Sequence, residues 1–321
     1  TKAQPIKIGL FNTEVVESLV VYCTSGEYKV SGDGQDITGM KKGEILFIKL
    51  EGEKLLLQSN ASQLGSFENI EFKASNTYST FRIRPVLPAL NSRSYDDDLI
   101  LGTKKDFISI INRVDFDKYI AGVLEAEVGP NTEKELYKAH ALLSRTYTLR
   151  NYNRHKDEGF SLCDDVHCHA YKGRAVYNPE ILEAVLETTG EIIADYHYKL
   201  IDALYHSNSG GETMRAADVW LRDHDYLQAV IDPHSLHQSK AKWYDTIQFN
   251  DCKNYLLENG MKAVEKLPDE IIYIQQRHRK KAYVLEDDSL LMTKIRADWG
   301  WNSTFFNMFP DEDGTIVIWG K

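Results

Sequence analysis

Residues 115–130 read Asp-Phe-Asp-Lys-Tyr-Ile-Ala-Gly-Val-Leu-Glu-Ala-Glu-Val-Gly-Pro, and here a β-patterned chain turns helical. Phe116, Tyr119, Ile120, Val123 and Leu124 recur at i, i+3, i+4, i+7 and i+8, the spacing of one helix face. Asp115 stands where an N-cap belongs, and Gly129-Pro130 closes the run. Counting about 100° per residue from Phe116 puts Glu127 at about 20°, inside the apolar stripe, and Glu125 at about 180°. The reading therefore makes Glu125 a solvated surface charge and Glu127 a partly desolvated one. Burial and the negative end of the helix dipole both raise a carboxyl pKa, and a protonated glutamate is what a general acid requires. The competing reading leaves Glu127 in water or paired with Arg145.

Upstream, residues 6 to about 110 alternate as short strands. They include Ile6 to Leu10, the β-rich run from Val20 to Val30, Ile45 to Leu50, Phe81 to Pro85 and Phe107 to Ile111. Ser31-Gly32-Asp33-Gly34 is a turn signal. Downstream, a second helix is expected from Thr132, with Glu135 completing a capping box and Leu136, Ala139, Leu143 and Tyr147 forming the apolar face. A third is expected at Asn178-Pro179, lined by Ile181, Leu182, Val185 and Leu186 and closed by Gly190. Strands near 191–196 and 199–206 lead into the loop Ser207-Asn208-Ser209-Gly210-Gly211. The remainder alternates: a helix near 251–258, strands near 271–275 and 281–285, a helix near 290–298 and a closing strand at 315–319. The fold class is α+β. A helical catalytic core (111–321) packs on strands, behind a β-rich region (1–110), with a cleft between lobes.

Composition narrows the function. The 321 residues carry a formal net charge of -10, which argues against a nucleic-acid binder. No apolar run approaches the ~18 residues of a membrane span. The chain opens at Thr1-Lys2 without an apolar targeting segment, which either a removed signal segment or a trimmed sequence would leave. Four cysteines do not make a disulfide scaffold. Only Cys163 and Cys168 are close in sequence. With His155, His167 and His169 they collect thiolate and imidazole, the donors of tetrahedral zinc. Cys163, His167, Cys168 and either His155 or His169 form one possible set, structural in role, and a Cys163–Cys168 disulfide is the alternative. In the Ser-Gly-Gly loop, Gly210 and Gly211 permit positive φ and close approach of a ligand, and Ser207 and Ser209 supply hydroxyls. Trp220, Tyr226 and Trp243 are of the type that stacks on sugar rings or fills cores.

Several of these motifs, taken in order, resemble the SpoIID/LytB family of stage II sporulation protein D and amidase enhancers. They are Tyr119 to Val128 (Tyr-Ile-Ala-Gly-Val-Leu-Glu-Ala-Glu-Val), Lys138 to Tyr147 (Lys-Ala-His-Ala-Leu-Leu-Ser-Arg-Thr-Tyr), Cys163 to Gly173, Thr188-Thr189-Gly190, His206 to Gly211, Val219-Trp220, Tyr226-Leu227 and Trp243, with Arg296, Gly300, Ser303 and Phe305 near the end. The similarity runs from about residue 80 to 320, plus the first strand, and leaves 15–80 as an inserted β region. It implies an extracytoplasmic lytic transglycosylase of peptidoglycan glycan strands with Glu127 as acid. Arg145, Tyr147, Ser207, Ser209, Gly210, Gly211 and Trp220 would be substrate contacts, and a cell-wall amidase is a possible partner. Some members hold zinc through two Cys and two His. The departures are Val128-Gly129-Pro130 in place of Met-Pro, an altered zinc spacing, and an end at Lys321 where the family continues into a Gly-His-Gly-rich segment.

Overall fold

The computed structural model describes residues 4–219, 223–238, 241–266, 272–311 and 313–321. The chain divides into two compact units, Thr1–Leu204 and Tyr205–Lys321.

Twelve strands open the first unit: β1 (Ile6–Leu10), β2 (Ser18–Ser25), β3 (Glu27–Gly32), β4 (Gln35–Lys41), β5 (Ile45–Glu51), β6 (Lys54–Gln58), β7 (Gln63–Phe67), β8 (Asn69–Ala74), β9 (Thr80–Leu87), β10 (Arg93–Asp96), β11 (Asp98–Lys104) and β12 (Phe107–Val114). Helix α1 (Phe116–Glu127), helix α2 (Lys134–Arg150), the two-residue β13 (Leu162–Cys163) and helix α3 (Pro179–Glu187) complete it. One sheet runs β13-β1-β12-β11-β8-β3-β4 and the other β10-β9-β2-β5-β6-β7. Every pairing is antiparallel except β13 beside β1. Period-2 alternation decides which side chains turn inward. On β12, Ile108, Ile110, Asn112 and Val114 are buried while their neighbours are half-exposed.

The inward faces of both sheets and the buried faces of α1–α3 belong to one hydrophobic cluster, from Val21 and Phe72 through Ile8 and Leu162 to Tyr119 and Val185. This continuity places the division at Leu204/Tyr205 and not near residue 110. An aromatic chain runs through the cluster. Tyr28, Phe81, Tyr95, Tyr171 and Tyr119 have successive ring centroids 5.0–5.9 Å apart. Three consecutive carboxylates add polar anchors: Asp96 binds Arg174, Asp97 binds Lys118 on α1, and Asp98 binds Arg113.

Helix α1 begins as its sequence demands, with the Asp115 carboxylate accepting from the N–H groups of Asp117 and Lys118. Helix α2 corrects two expectations. No capping box forms: Glu133 is the N-cap residue without a side-chain bond, and Glu135 pairs with Lys138 instead. The buried residues are Tyr137, His140, Ala141, Ser144, Arg145, Thr146 and Thr148, while Leu136 is 49% exposed. The period is helical, but the face is rotated by one position. Partners for the polar residues decide this. Arg145 finds Asp117 and two carbonyls inside, which favours burial of the charged row over Leu136. On α3, Asn178 caps Glu180 as expected and Ile181, Ala184 and Val185 are buried, but Leu182 and Leu186 are exposed. Strands do not form at 191–206. Only an isolated Ala194–Leu200 bridge remains, because Asp195 accepts from His197 and Lys199 and folds the segment into a turn.

The second unit has its own core and contains α4 (Ala216–Val219), β14 (Trp243–Gln248), α5 (Phe249–Glu258), β15 (Ala282–Leu285), β16 (Asp288–Leu291), α6 (Met292–Trp299), β17 (Phe306–Pro310) and β18 (Thr315–Gly320). Strands β14, β18 and β17 form an antiparallel sheet whose inner face meets α5 and α6 around Met261, Trp301 and Ile316. The strand expected near 271–275 is reduced, over its described residues, to a single bridge at Ile274.

Candidate functional site

Glu127 is the last residue of α1. Its environment differs from the helical-wheel expectation: the residue is exposed, and its Oε1 accepts the Ala170 N–H at 2.9 Å. The buried stripe stops at Leu124, so the last turn emerges from the core carrying Glu127 with it. Glu125 is the reverse case. It is half-buried and accepts from the Val176 and Tyr177 N–H groups at 2.8–3.0 Å. The two carboxylates together bind segment 170–177 along the end of α1. Gly122 makes that approach possible, since a Cβ there would lie 2.2 Å from the Gly173 carbonyl oxygen and 2.6 Å from the Tyr171 ring. Arg145 is not a partner of Glu127.

Sequence reasoning passed over His140, a buried residue of α2. Burial holds its imidazole below the ordinary pKa, and the nearby negative charge of Glu127 opposes that shift. The signal was present, because residues 137, 140, 141 and 144 keep helical spacing with the imidazole on the inward row.

Arg145 is 2% exposed. Its guanidinium meets Asp117 at 3.3 Å and donates to the carbonyls of Glu191 and Val185, tying α2 to α1 and α3. It borders a cavity of about 460 Å³ with Phe116, Leu149, Tyr152 and Thr189, and Glu127 is not among the lining residues. The arrangement is that of a structural clamp, in which Nη1 and Nη2 are engaged and the buried Nε has no hydrogen-bond partner. Tyr147 is half-exposed, packs on His169 at 4.4 Å and accepts from Arg154 at 2.8 Å.

The Cys/His cluster assembles from three places: β13, the 164–168 turn, and His155 before a short 3-10 turn. One donor atom from each of His155, Cys163, His167 and Cys168 lies within 4.8 Å of all the others. His155 Nε2 is 3.4 Å from Cys168 Sγ, and His167 Nδ1 is 3.8 and 3.7 Å from the two sulfurs. Those separations match the edge of a tetrahedron built on Zn–S of about 2.3 Å and Zn–N of about 2.0 Å. His155 Nδ1 meets the Glu158 carboxylate at 2.5 Å, the outer support that ligating imidazoles use. The donors present fit a zinc ion. A proton shared between the sulfurs lowers Cys168 to about 6, and its hydrogen bond with Cys168 raises Cys163. His169 stands outside this group. It is buried against Tyr119 and Tyr147, and burial brings its pKa down to about 3.

The Ser-Gly-Gly loop belongs to the second unit. Gly210 and Gly211 have φ of +63° and +99°, as their residue type allows. The loop's hydrogen-bonding groups are already engaged. Ser209 Oγ bonds Asp232 at 2.7 Å and Ser235 at 2.6 Å, the Gly211 N–H donates to Ser235, and the Gly210 N–H donates to Asn208. Arg279 braces the Ser209 and Glu212 carbonyls. Ser207 alone of the two serines is exposed. Trp220 lies outside the described residues.

Comparison with known proteins adds a further finding. Residues 104–194 match the family model described as SpoIID, stage II sporulation protein. The chain is 27% identical to stage II sporulation protein D of Bacillus subtilis (strain 168) over 227 residues, 65% of this chain and 64% of that protein. It is 30% identical to stage II sporulation protein D of Bacillus amyloliquefaciens over 228 residues, 66% and 64% of the two chains. An uncharacterised protein of Brachyspira hyodysenteriae is 28% identical over 178 residues, 55% and 48%. The chain thus spans between about half and two thirds of the length of these curated relatives.

Proposed function

We propose, from the premise that this chain belongs to the SpoIID family, that it is a lytic transglycosylase of peptidoglycan glycan strands. Membership supports a cell-wall-related role. The observation that carries the finer reading is the position of Glu127. It ends α1 inside the matched segment, with its carboxylate exposed and oriented by one N–H.

In this reading Glu127, as the neutral acid, gives its proton to the glycosidic oxygen between N-acetylmuramic acid C1 and N-acetylglucosamine O4. The C1–O bond breaks, and N-acetylglucosamine leaves with that proton. The resulting carboxylate takes the proton from the muramic acid C6 hydroxyl, whose oxygen bonds C1 and closes a 1,6-anhydro ring. One carboxyl suffices because the nucleophile comes from the substrate, whereas hydrolysis ordinarily needs two. In the free protein the carboxyl faces water. A bound strand would cover it, and covering favours the neutral acid that the first step uses. The Ala170 N–H holds the carboxylate in place between steps.

His155, Cys163, His167 and Cys168 would hold a zinc ion. With four protein ligands the ion supplies cross-linking rather than an open coordination position. The ligand Cys168 stands two residues before Ala170, so the cluster would fix the backbone that orients Glu127.

A second reading, a non-catalytic glycan binder that assists a cell-wall amidase, is favoured by one observation: Glu127 is not embedded in the core. Mass spectrometry of purified glycan strands, with and without peptide stems, separates the two. The transglycosylase yields anhydro-ended products that Glu127→Gln reduces by at least about a hundredfold, the scale of a general acid's contribution. Full activity in that variant would refute the role of Glu127, reducing ends would mean hydrolysis, and no cleavage would favour the binder.

A further inference from the structure

A cleft of about 250 Å³ in the first unit has a chemistry that neither Glu127 nor the metal cluster uses, and neither Glu127 nor any of the four metal donors borders it. Strand alternation sets it up. Ile6 and Ile8 of β1 turn into the core, so Lys7 turns outward, directly opposite Arg113 on β12. Like charges placed opposite each other destabilise a sheet. Arg113 is compensated, because its Nε and Nη2 bond Asp98 and its Nη2 also meets Glu71. Lys7 is exposed and has no ion pair among the described residues. Two more groups are brought to the same place. Ser161 stands just before β13, held where its N–H donates to the Lys7 carbonyl at 2.8 Å. Lys156 comes from the 3-10 turn that Gly159 closes at φ +92°. It too has no ion pair among the described residues.

The whole lining decides the sign of the ligand. Three of its nine residues, Lys7, Arg113 and Lys156, are cations and none is acidic, in a chain whose formal net charge is -10. A fourth cation, Lys104, stands 5.9 Å from the centre of the Phe160 ring that borders the cleft. The nearest acids are already placed. Asp98 and Glu71 serve Arg113, Glu158 serves His155, and Asp157 does not border the cleft. Ser161 supplies the second observation. The residue is 7% exposed and borders the cleft, and its hydroxyl has no hydrogen-bond partner among the described residues. A buried hydroxyl without a partner is a cost that a ligand would remove.

Donor geometry separates the possible anions. A planar carboxylate is matched by the fork of an arginine, but the Nε–Nη2 side of Arg113 is spent on Asp98. What remains is two ammonium groups, a hydroxyl and the Asn153 amide, which come from separate segments and surround a point. That set suits the tetrahedral oxygens of a phosphoryl group, for which lysine serves as a point charge. Tyr152 borders this cleft and also the more apolar cavity beside Leu149 and Ile192, so the carbon part of an ester would have a surface to lie on.

We infer that this cleft is a phosphate site, in which Lys7, Lys156 and Ser161 hold the phosphoryl oxygens of free phosphate or of an organic phosphate ester. It is a binding function separate from the reaction assigned to Glu127.

The isotope-labelled whole chain is titrated with glycerol phosphate, inorganic phosphate and acetate at constant ionic strength, and its backbone amide shifts are followed by NMR. Saturable shifts confined to Lys7 and residues 153–161 are expected with both phosphates, and much weaker ones with acetate. Lys7→Gln combined with Lys156→Gln should weaken binding at least about tenfold, the scale of lost hydrogen bonds to a charged group. Lys54→Gln combined with Lys73→Gln, exposed lysines away from the cleft, should leave it unchanged. Ser161→Ala should weaken binding without lowering the melting temperature, since its hydroxyl bonds nothing in the free protein. Tighter binding of glycerol phosphate than of inorganic phosphate assigns the site to an ester, and equal affinity assigns it to the free ion. Four results overturn the site: no saturable shift, unchanged affinity in the Lys7/Lys156 variant, an equal loss in the Lys54/Lys73 variant, or acetate binding as tightly as phosphate. The role of Glu127 is judged apart from this, from the products of glycan strands.

Discussion

Replacing Asp117 by Asn tests the assignment of Arg145 as a structural clamp. Asp117 is 6% exposed and accepts from Arg145 Nη2 at 3.3 Å and from Thr189 Oγ1 at 2.9 Å. The guanidinium it neutralises is itself 2% exposed. Asn preserves the shape and one acceptor oxygen but leaves a buried cation without a counter-charge. Breaking one side of a buried ion pair costs about 3–5 kcal/mol. For a unit of the size of Thr1–Leu204, each kcal/mol moves the melting point by about 2–4 °C, so the expected loss is about 6–20 °C. The molecule supplies its own control. All five tryptophans lie in the second unit, so Trp fluorescence reports that unit while far-UV circular dichroism reports both. The dichroism transition of the first unit should fall while the Trp transition stays. Combining Asp117→Leu with Arg145→Met should recover part of the loss. Full recovery is not expected, because the Glu191 and Val185 carbonyls would lose their donor. A shift below about 2 °C for Asp117→Asn would refute the clamp and return Arg145 to the list of substrate contacts.

Other perturbations probe the surroundings of Glu127. Gly122→Ala drives a methyl into the Gly173 carbonyl and the Tyr171 ring, so the 170–177 segment should lift from α1, with a loss of about 1–3 kcal/mol or more seen in urea unfolding. Elemental analysis should find about one zinc per chain, as four ligands of this chemistry imply. Cys168→Ser or His155→Ala should lower that content, and a strong chelator should lower the melting temperature of the parent protein but not of Cys168→Ser. Glu187 accepts from Lys134 and Lys138, which lowers its pKa to about 2. A depressed carboxyl pKa stabilises the fold above the unfolded value of about 4.3, and that stabilisation is lost as pH falls toward 2. Acid unfolding should therefore show parent and Glu187→Gln converging across this window, and a gap that persists below pH 2 would mean that Glu187 acts by packing.

Some of the site was legible in residue order, and some was not. Asp115 as N-cap, the apolar row Phe116 to Leu124 and the cap at Asn178 depend on contacts within a few positions, so they are readable before any tertiary structure exists. The Cys/His group was legible as chemistry, since thiols and imidazoles that close in sequence have few common purposes. The choice between His155 and His169 was not. It depends on a strand, a turn and a 3-10 segment converging, and on Tyr119 and Tyr147 already enclosing His169. The face of α2 was misplaced for a related reason. A helical wheel ranks Leu136 above Arg145, but burial of a charge is decided by its partners, and Asp117, Val185 and Glu191 are remote in sequence.

By itself, then, the order of residues determined the locally capped helices α1 and α3, the α+β class, the carboxylate at the end of α1 and the set of possible metal donors. These follow from backbone periodicity, capping and side-chain chemistry, which act over a few residues. Tertiary structure alone decided that Glu127 emerges into solvent while Glu125 is clamped, and that the Ser209 hydroxyl is spent on Asp232 and Ser235, remote in sequence. Exposure and pairing are properties of what the rest of the chain places beside a residue, and no short window of sequence contains that neighbour.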